Sequence, residues 1–158
     1  MRNLFFAFLV LLACENKPET LSTQTKAQKI EKTVKLPPND EFYWILDSDS
    51  LTKEKNPNFS RFHLQEDSVI AVINKKFEHT TLHKVKKSND TLYLHIPNPQ
   101  YFSNQMGSMG AGNYMATVVL NLTTVPGIKF LNFDFEEGSH ASPGVYSEKD
   151  FWTYREKR

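Results

Sequence analysis

The segment from residue 109 to residue 123 constrains the fold most strongly. Its polar side chains recur every four residues, at Asn113, Thr117 and Asn121. Nearly all other positions are apolar or small, which is typical of an α-helix with a narrow polar stripe and a wide buried face. Ser108 is a suitable N-cap. The sequence therefore predicts a main helix over about 108–124 that the rest of the chain must cover on most of its circumference.

The end of this helix and the segment after it predict a strand–helix–strand unit. Pro126 does not easily continue a helix, and Gly127 accepts the positive φ of a type II turn. The Phe-rich segment 128–136 then predicts a strand. Together with a strand at 91–96 before the helix, this order favours a right-handed parallel crossover between the two strands.

A β-hairpin is predicted before the main helix. Residues 80–86 and 91–96 flank the pair Ser88-Asn89, which is suited to a tight turn. If this pair is the centre of the turn, Val85 lies opposite Leu92, and the apolar side chains of the hairpin share one face.

The remaining elements are shorter. The sequence predicts strands at 41–47, 59–64 and 69–73, the last buried on both faces, with a polar loop at 48–58. Ser147 and Asp150 have the spacing of a capping box, which predicts a short C-terminal helix. The expected fold class is therefore α+β: a single small domain with a mixed β-sheet packed against the main helix, plus the short C-terminal helix.

The N-terminus has the order of a secretion signal. Arg2 precedes an apolar run at 4–13, which is too short to span a bilayer, since a spanning helix needs about 20 residues. Leu11-Leu12-Ala13-Cys14 resembles the lipobox of bacterial lipoproteins. Residues 1–13 are therefore predicted to be a signal peptide and Cys14 the lipidation site, with acyl chains such as palmitate as the membrane anchor. The alternative is an ordinary signal peptide with an incidental cysteine.

The compartment follows from the same residues. A lipidated Cys14 places the domain in the cell envelope, outside the cytoplasm. Glu15 follows it, where an Asp often retains lipoproteins in the inner membrane, so the outer membrane is favoured. Residues 15–40 contain no aromatic residue and are predicted, with Cys14, to form a flexible tether at 14–40, or a tether that is partly helical at 27–35. The folded domain then covers 41–158.

Charge and cysteine content exclude some functions. The 19 basic residues lose Arg2 with the signal peptide and then equal the 18 acidic residues in number. This balance argues against nucleic acid as a partner. Cys14 is the only cysteine, so the folded domain has no thiol for a disulfide or a metal.

Three segments resemble the GerMN domain, which occurs in sporulation and spore-germination proteins and in other bacterial lipoproteins. Residues 104–111 resemble the QMGS-x-GA start of the family's main helix, residues 121–128 resemble its helix end, and residues 133–138 resemble the following strand and acidic-glycine turn. The resemblance covers about 100–140. It implies a compact α+β module that binds or assembles within an envelope complex, with no catalytic residues and no cofactor.

One cluster of chemically active residues has two interpretations. It contains Asp134, Glu136, Glu137, Ser139 and His140. A hydrolase or metal-binding protein centred on His140, with Asp134 and Glu136, is the alternative function. A solvated strand end followed by a turn explains the same residues, and the chain has no G-x-S-x-G nucleophile elbow.

The predicted function is contact with an envelope protein partner, in addition to the membrane contact through Cys14. No catalytic residue, metal ligand or cofactor is predicted. Short and aromatic side chains lose little entropy when a partner covers them, and these define the predicted binding surface. They are Tyr101, Phe102, Asn113, Thr117, Asn121 and His140.

Overall fold

The computed structural model describes residues 42–59 and 64–157. The elements, in chain order, are β1 (Trp44–Asp47), β2 (Thr52–Lys55), α1 (Glu66–Lys76), β3 (His83–Ser88), β4 (Thr91–His95), a π-helical turn (Tyr101–Gln105), α2 (Gly107–Leu122), β5 (Phe130–Asp134), β6 (Gly144–Ser147), a 3-10 turn (Glu148–Phe151) and β7 (Arg155–Glu156). The predicted α+β class is confirmed. The predicted signal peptide, Cys14, the tether and Glu41 lie outside the described residues.

The strands form two sheets. The order β3-β4-β5-β6 makes a four-stranded mixed sheet, and β1-β2-β7 makes a three-stranded sheet. β4 and β5 are parallel, with Leu92 opposite Leu131. The predicted parallel crossover is therefore confirmed, with α2 as the connecting helix.

Helix α2 contributes to both hydrophobic clusters of the domain, as its wide apolar face requires. Met115, Val118 and Leu122 pack with the larger cluster, which includes the inner face of the four-stranded sheet. Ala116 and Leu120 pack with a smaller cluster that includes aromatic residues at the edge of the other sheet: Tyr43, Trp44 and Tyr154. Because opposite sides of α2 are covered, little of the helix is left for solvent.

Two local sequence rules hold in the structure, one at the turn after α2 and one at the C-terminal helix. Gly127 has φ +79°, the left-handed conformation that the turn after α2 was predicted to need. The capping box at the other predicted helix is present, since Asp150 Oδ2 accepts from the Ser147 amide at 2.7 Å and from its hydroxyl at 2.9 Å. The short C-terminal helix is a single 3-10 turn. Ser108 is not the N-cap of α2, because the helix begins at Gly107 and Ser108 lies within its first turn.

Two sequence predictions were wrong about the type of element. Residues 69–73 belong to α1 and not to a strand. A short apolar run does not by itself distinguish a buried strand from the buried face of a helix. The flanking charges are those of a helix, with Glu66 and Asp67 in its first turn and basic residues in its last. The predicted loop at 48–58 contains β2, whose four residues have no apolar alternation that could reveal a strand.

The predicted hairpin is present with a different register. Ser88 pairs with Thr91, so the turn is centred on Asn89 and Asp90, one residue later than predicted, and Asn89 has φ +54°. Lys86 pairs with Tyr93, Lys87 pairs with Leu92, and a bulge lies between Lys84 and Lys86. The predicted Val85–Leu92 pair is therefore wrong. All of β3 is exposed, so burial of one face does not fix the register of this edge strand.

The predicted strand at 59–64 is not supported at its ends, since Phe59 and Leu64 lie outside strands, and 60–63 are not among the described residues. In the part of the chain that the structure describes, no helix has both the length and the apolar character needed to cross a membrane.

Candidate functional site

Two neighbouring residues of the predicted binding surface face in opposite directions. Both lie in the π-helical turn. Phe102 is fully buried, with its ring 4.8 Å from that of Tyr114 and 5.2 Å from that of Phe135. Tyr101 is 39% exposed and its ring lies 4.8 Å from that of His79. The prediction that Phe102 is exposed is therefore wrong, and only Tyr101 of this pair is accessible.

The polar stripe of α2 faces the protein interior rather than solvent. Asn121 is 1% exposed and Thr117 is 4% exposed. The Asn121 side chain accepts from the Trp44 amide at 2.8 Å and donates to the Trp44 carbonyl at 3.2 Å. The expected exposure of Thr117 and Asn121 is therefore wrong, and Asn121 pairs with the backbone of β1 instead of with solvent. Asn113, one turn earlier, is partly buried.

His140 joins the loop after β5 to the start of α2. Its Nδ1 lies 3.0 Å from the Ser108 hydroxyl, and its amide donates to the Ser103 carbonyl at 2.9 Å. The neighbouring Ser139 amide donates to Asn104 Oδ1 at 3.0 Å. Gly138 is required by this close approach, since a Cβ there would lie 2.6 Å from the Ser103 carbonyl oxygen. The structure thus brings together the segment 104–111, which resembles the start of the GerMN main helix, and the segment 133–140, which contains the cluster of chemically active residues.

The acidic residues proposed to act with His140 belong to other contacts. Asp134 Oδ2 lies 2.9 Å from His95 Nδ1, and the Asp134 side chain is 80% exposed. Glu137 accepts from the Ser142 hydroxyl, and Glu136 is exposed. Asp134 and His140 therefore have different hydrogen-bond partners. Within the ranges 42–59 and 64–157, no three His, Cys, Asp or Glu side chains are grouped as metal ligands would be.

A shallow pocket of about 390 Å³ lies beside His140. Its polar side chains already have partners. The Tyr146 hydroxyl donates to the Ser142 carbonyl at 2.7 Å, and His140 contacts Ser108. Burial, then the Asp150 and Glu137 carboxylates, raise the pKa of Tyr146, which keeps the phenol protonated and able to donate. The pocket is therefore a cleft between α2 and the loop after β5 whose polar side chains are already paired.

A smaller pocket, of about 250 Å³, lies beneath Tyr101. Its lining comes from the end of α1 and the π-helical turn: Lys76, Phe77, Glu78, His79, Thr80, Tyr101 and Met106. The chain leaves α1 at Phe77 and turns immediately, because the Thr80 amide donates to the Phe77 carbonyl at 2.9 Å. This turn brings His79 against Tyr101 and places Thr80 in the pocket lining.

The hydroxyl of Thr80 is the unusual feature of this pocket. Thr80 is fully buried, and its Oγ1 has no hydrogen-bond partner in the part of the chain that the structure describes. The same is true of the hydroxyl of Tyr114, whose ring lies edge-on 4.9 Å from that of Phe77. Burial raises the pKa of Tyr114, so this phenol is neutral. An unsatisfied buried hydroxyl costs about 1–3 kcal/mol, and neither oxygen is open to the pocket, because each has almost no solvent-accessible surface.

Sequence reasoning identified Tyr101 but missed the other lining residues. Residues 76–80 lie between segments predicted as strands at 69–73 and 80–86, so no helix end was expected there. Had 66–76 been predicted as a helix, its acidic first turn and basic last turn would have placed Lys76 and Phe77 at a helix end next to a tight turn.

No family model, curated protein or solved structure matches this chain. The resemblance of 104–111 and 121–128 to the GerMN domain therefore stays a prediction.

Proposed function

We propose that the protein is a non-catalytic binding module of the cell envelope, anchored to a membrane through a lipidated Cys14 and acting, like the GerMN domains it resembles, in assembly with an envelope partner. The outer membrane is the favoured location. Tyr101 is the centre of the contact site.

One observation carries this proposal: Tyr101 is 39% exposed and its ring packs against His79 at the mouth of a pocket. An aromatic ring held by a neighbour loses little side-chain entropy when a partner covers it. Such anchors are enriched among residues that dominate binding energy. The pocket gives a partner a concave feature to fill, and Tyr101 gives it a flat apolar face to cover.

Non-catalytic function is supported by the separation of the candidate acid and base. Asp134 contacts His95, whereas His140 contacts Ser108. A hydrolytic site needs a base within reach of its nucleophile and a third group that orients the base. The described carboxylates Asp134 and Glu137 have other partners.

A hydrolase is retained as the second candidate because of the Ser108–His140 contact. The Ser108 hydroxyl lies 3.0 Å from His140 Nδ1, within the range for proton transfer from a nucleophile to a base. In this case Ser108 would attack an ester or amide carbonyl while His140 accepts its proton. His140 would return that proton to the leaving alcohol or amine as its bond to the carbonyl carbon breaks, and water would then release the acyl group from Ser108. Hydrolysis of a chromogenic ester that is lost in both Ser108→Ala and His140→Ala, with the urea midpoint retained, would favour this candidate over the binding module.

The binding proposal is tested by photo-crosslinking in cells that make the full-length protein. A photoreactive amino acid replaces Tyr101 in one strain and Trp152, which is 73% exposed, in a matched control strain. We expect adducts of defined mass from position 101 and none of that mass from position 152. The same adducts from both positions, or none from position 101, would contradict the proposal.

The anchor is tested separately. We expect Cys14→Ser to abolish labelling by a fatty-acid analogue and to leave an uncleaved precursor, because the thiol is the lipid acceptor. A wild-type protein whose intact mass includes no acyl chain would contradict the lipoprotein assignment and leave the Tyr101 site untouched.

A further inference from the structure

We infer that the end of the four-stranded sheet at the β3–β4 turn lies on an anionic phospholipid surface, and that this contact directs the Tyr101 site away from the membrane. The basic end is defined by four exposed lysines: Lys86, Lys87, Lys129 and Lys149. This inference rests on the proposed function, because a lipidated Cys14 is what keeps the domain beside a membrane. The placement of charged and apolar side chains along the sheet carries it.

Strand pairing places lysines from three segments of the chain at the same end of the sheet. The last row of paired residues consists of Ser88, Thr91, Phe130 and Ser147. Lys87 and Lys129 are next to this row in the chain, and Lys149 follows it by two residues. The Lys87 Nζ lies 3.4 Å from the position that a Cβ of Gly127 would occupy. Lys129 and Lys149 line one pocket of about 310 Å³, so these side chains share one surface.

Positive charge is in excess at the basic end. The Lys129 Nζ lies 3.4 Å from Asp90 Oδ2, and Glu148 is paired with Lys53 at 2.6 Å. The third carboxylate, Asp150, belongs to the capping box of the 3-10 turn. Counting Lys53 with the four lysines, five ammonium groups face three carboxylates among the described residues of this end, which leaves an excess of two positive charges.

An exposed aromatic ring among these lysines favours a lipid surface over a free anion. Phe130 is 39% exposed and lines the same pocket as Lys129 and Lys149, together with Ile128. Lysine stems can lie along apolar surface while their ammonium groups reach a phosphate. The boundary between headgroups and acyl chains offers phosphates to the lysines and an apolar region to the ring. Free inorganic phosphate would pair with the lysines and leave Phe130 in water.

The opposite end of the sheet has exposed carboxylates and the Tyr101 site. Residues 134–137 complete β5 and its exit, and three of the four are exposed acids. The ring of Phe135 lies 5.2 Å from that of Phe102, the neighbour of Tyr101, so the Tyr101 site belongs to this end. An anionic surface attracts the basic end and repels these carboxylates. Tyr101 is then directed away from the membrane, where an envelope partner can reach it.

Two excess charges are sufficient because the anchor already holds the domain at the surface. Each lysine near an anionic membrane contributes a factor of about five to binding. An excess of two charges therefore favours the oriented state by roughly twentyfold to thirtyfold. For a tethered domain this contact forms within one molecule, so a weak attraction is enough to populate it.

The test uses the full-length acylated protein in vesicles of phosphatidylcholine, with or without about one third phosphatidylglycerol. Cys14 is the only native cysteine, so a cysteine added at Ser88→Cys or Glu136→Cys is the thiol that takes an environment-sensitive fluorophore. We expect phosphatidylglycerol to protect the fluorophore at position 88 from an aqueous quencher by about fivefold or more. Position 136, at the opposite end, should be quenched equally in both kinds of vesicle.

Charge removal identifies the residues responsible. Lys87→Gln and Lys149→Gln should each lower the protection of position 88, and together they should abolish it, because they remove the excess of two charges. Lys75→Gln, at the end of α1, is the matched control and should leave the protection unchanged. All three lysines are exposed, so the urea midpoints should equal that of the wild type. Raising the salt from about 0.1 M to about 1 M should also remove the protection without any substitution.

The outcomes separate this inference from the proposed function. Equal protection of position 88 in both kinds of vesicle, protection that persists in the Lys87 and Lys149 variant or at high salt, or equal protection of position 136 overturns the inference. If position 101 still gives specific cross-links in that case, the proposed function stands without a preferred orientation. Protein that floats with neither kind of vesicle lacks the anchor, and this result overturns the lipoprotein assignment and the inference together.

Discussion

Replacing Asn121 by Ala is the most direct test of how α2 is fixed to the rest of the fold. Asn121 is 1% exposed and holds the backbone of Trp44 on both sides, through its amide at 2.8 Å and its carbonyl at 3.2 Å. It also donates to the Thr117 carbonyl at 2.9 Å. We therefore expect Asn121→Ala to remove the hydrogen bonds between α2 and β1 and to destabilise the domain.

The magnitude follows from these contacts. The Trp44 amide loses its acceptor, and an unsatisfied buried group costs about 1–3 kcal/mol. The contacts to the two carbonyls add about 0.5–1.5 kcal/mol each, while the higher helix propensity of Ala returns about 0.5 kcal/mol. The free energy of unfolding should fall by about 3 kcal/mol.

Urea unfolding measures this change, with Asn113→Ala as the matched control. Asn113 lies on the same helix, and its Oδ1 has no partner in the described part of the chain. For a urea m-value of about 1–3 kcal/mol/M, the Asn121→Ala midpoint should fall by about 1–3 M. The Asn113→Ala midpoint should stay level or rise slightly. Coinciding midpoints for the two variants would refute the assignment of Asn121 as the link between α2 and β1.

Three further predictions concern backbone and burial. Gly127→Val should lower the free energy of unfolding by more than about 1 kcal/mol, because φ +79° suits a β-branched residue poorly. Gly138→Ala should lower it by about 1–3 kcal/mol, because the new Cβ would lie 2.6 Å from the Ser103 carbonyl oxygen; both are measured by urea midpoints. Burial raises the pKa of Tyr114 in the folded state. The contribution of this residue to stability is therefore fully present below its unfolded pKa of about 10 and is lost as the pH rises above that value. Urea midpoints between pH of about 8 and about 11, with tyrosinate absorbance, measure this loss.

Two of these predictions have a control variant on the same chain, and the third has an outcome that would contradict it. Gly112→Ala should stabilise the domain by about 0.5–1 kcal/mol, since a Cβ there meets nothing within 4 Å. A loss of stability equal to that of Gly138→Ala would contradict the close approach of Gly138 to Ser103 as the cause. Tyr114→Phe removes an unpaired hydroxyl, and an alkaline loss of stability as steep as in wild type would assign it to other groups. If the urea midpoint of Gly127→Val equals that of the wild type, the turn after α2 does not help to stabilise the crossover.

Local spacing made part of the fold predictable. The period of α2, the Pro126-Gly127 stop and the box of Ser147 with Asp150 each depend on residues within about one turn of each other. Such patterns act before the chain is folded. They were confirmed, and with them the parallel pairing of β4 with β5, because a strand, a long apolar helix and a strand leave few other arrangements.

Elements that depend on distant partners were not predictable in this way. The apolar run 69–73 by itself suits a strand or a helix; the charges that flank it favour the helix, and packing against α2 and the sheet buries its apolar face. The hairpin register depends on Asn89 and on a bulge in an exposed strand, where the sequence pattern carries little information. Only part of the candidate site was predictable from the sequence. Tyr101 was predicted as a binding residue, whereas nothing in the sequence distinguishes Thr80, whose burial is known only from the structure.

By itself, the sequence determined that α2 must be covered, where it stops and which two strands it joins, because apolar area and backbone conformation are properties of nearby residues. Tertiary structure decided what the polar residues do. Asn113 and Asn121 belong to one stripe, yet only Asn121 meets the backbone of Trp44, 77 positions away in the chain. The physical reason is that a polar side chain gains its role from the group that pairs with it, and the folded chain alone brings such groups together.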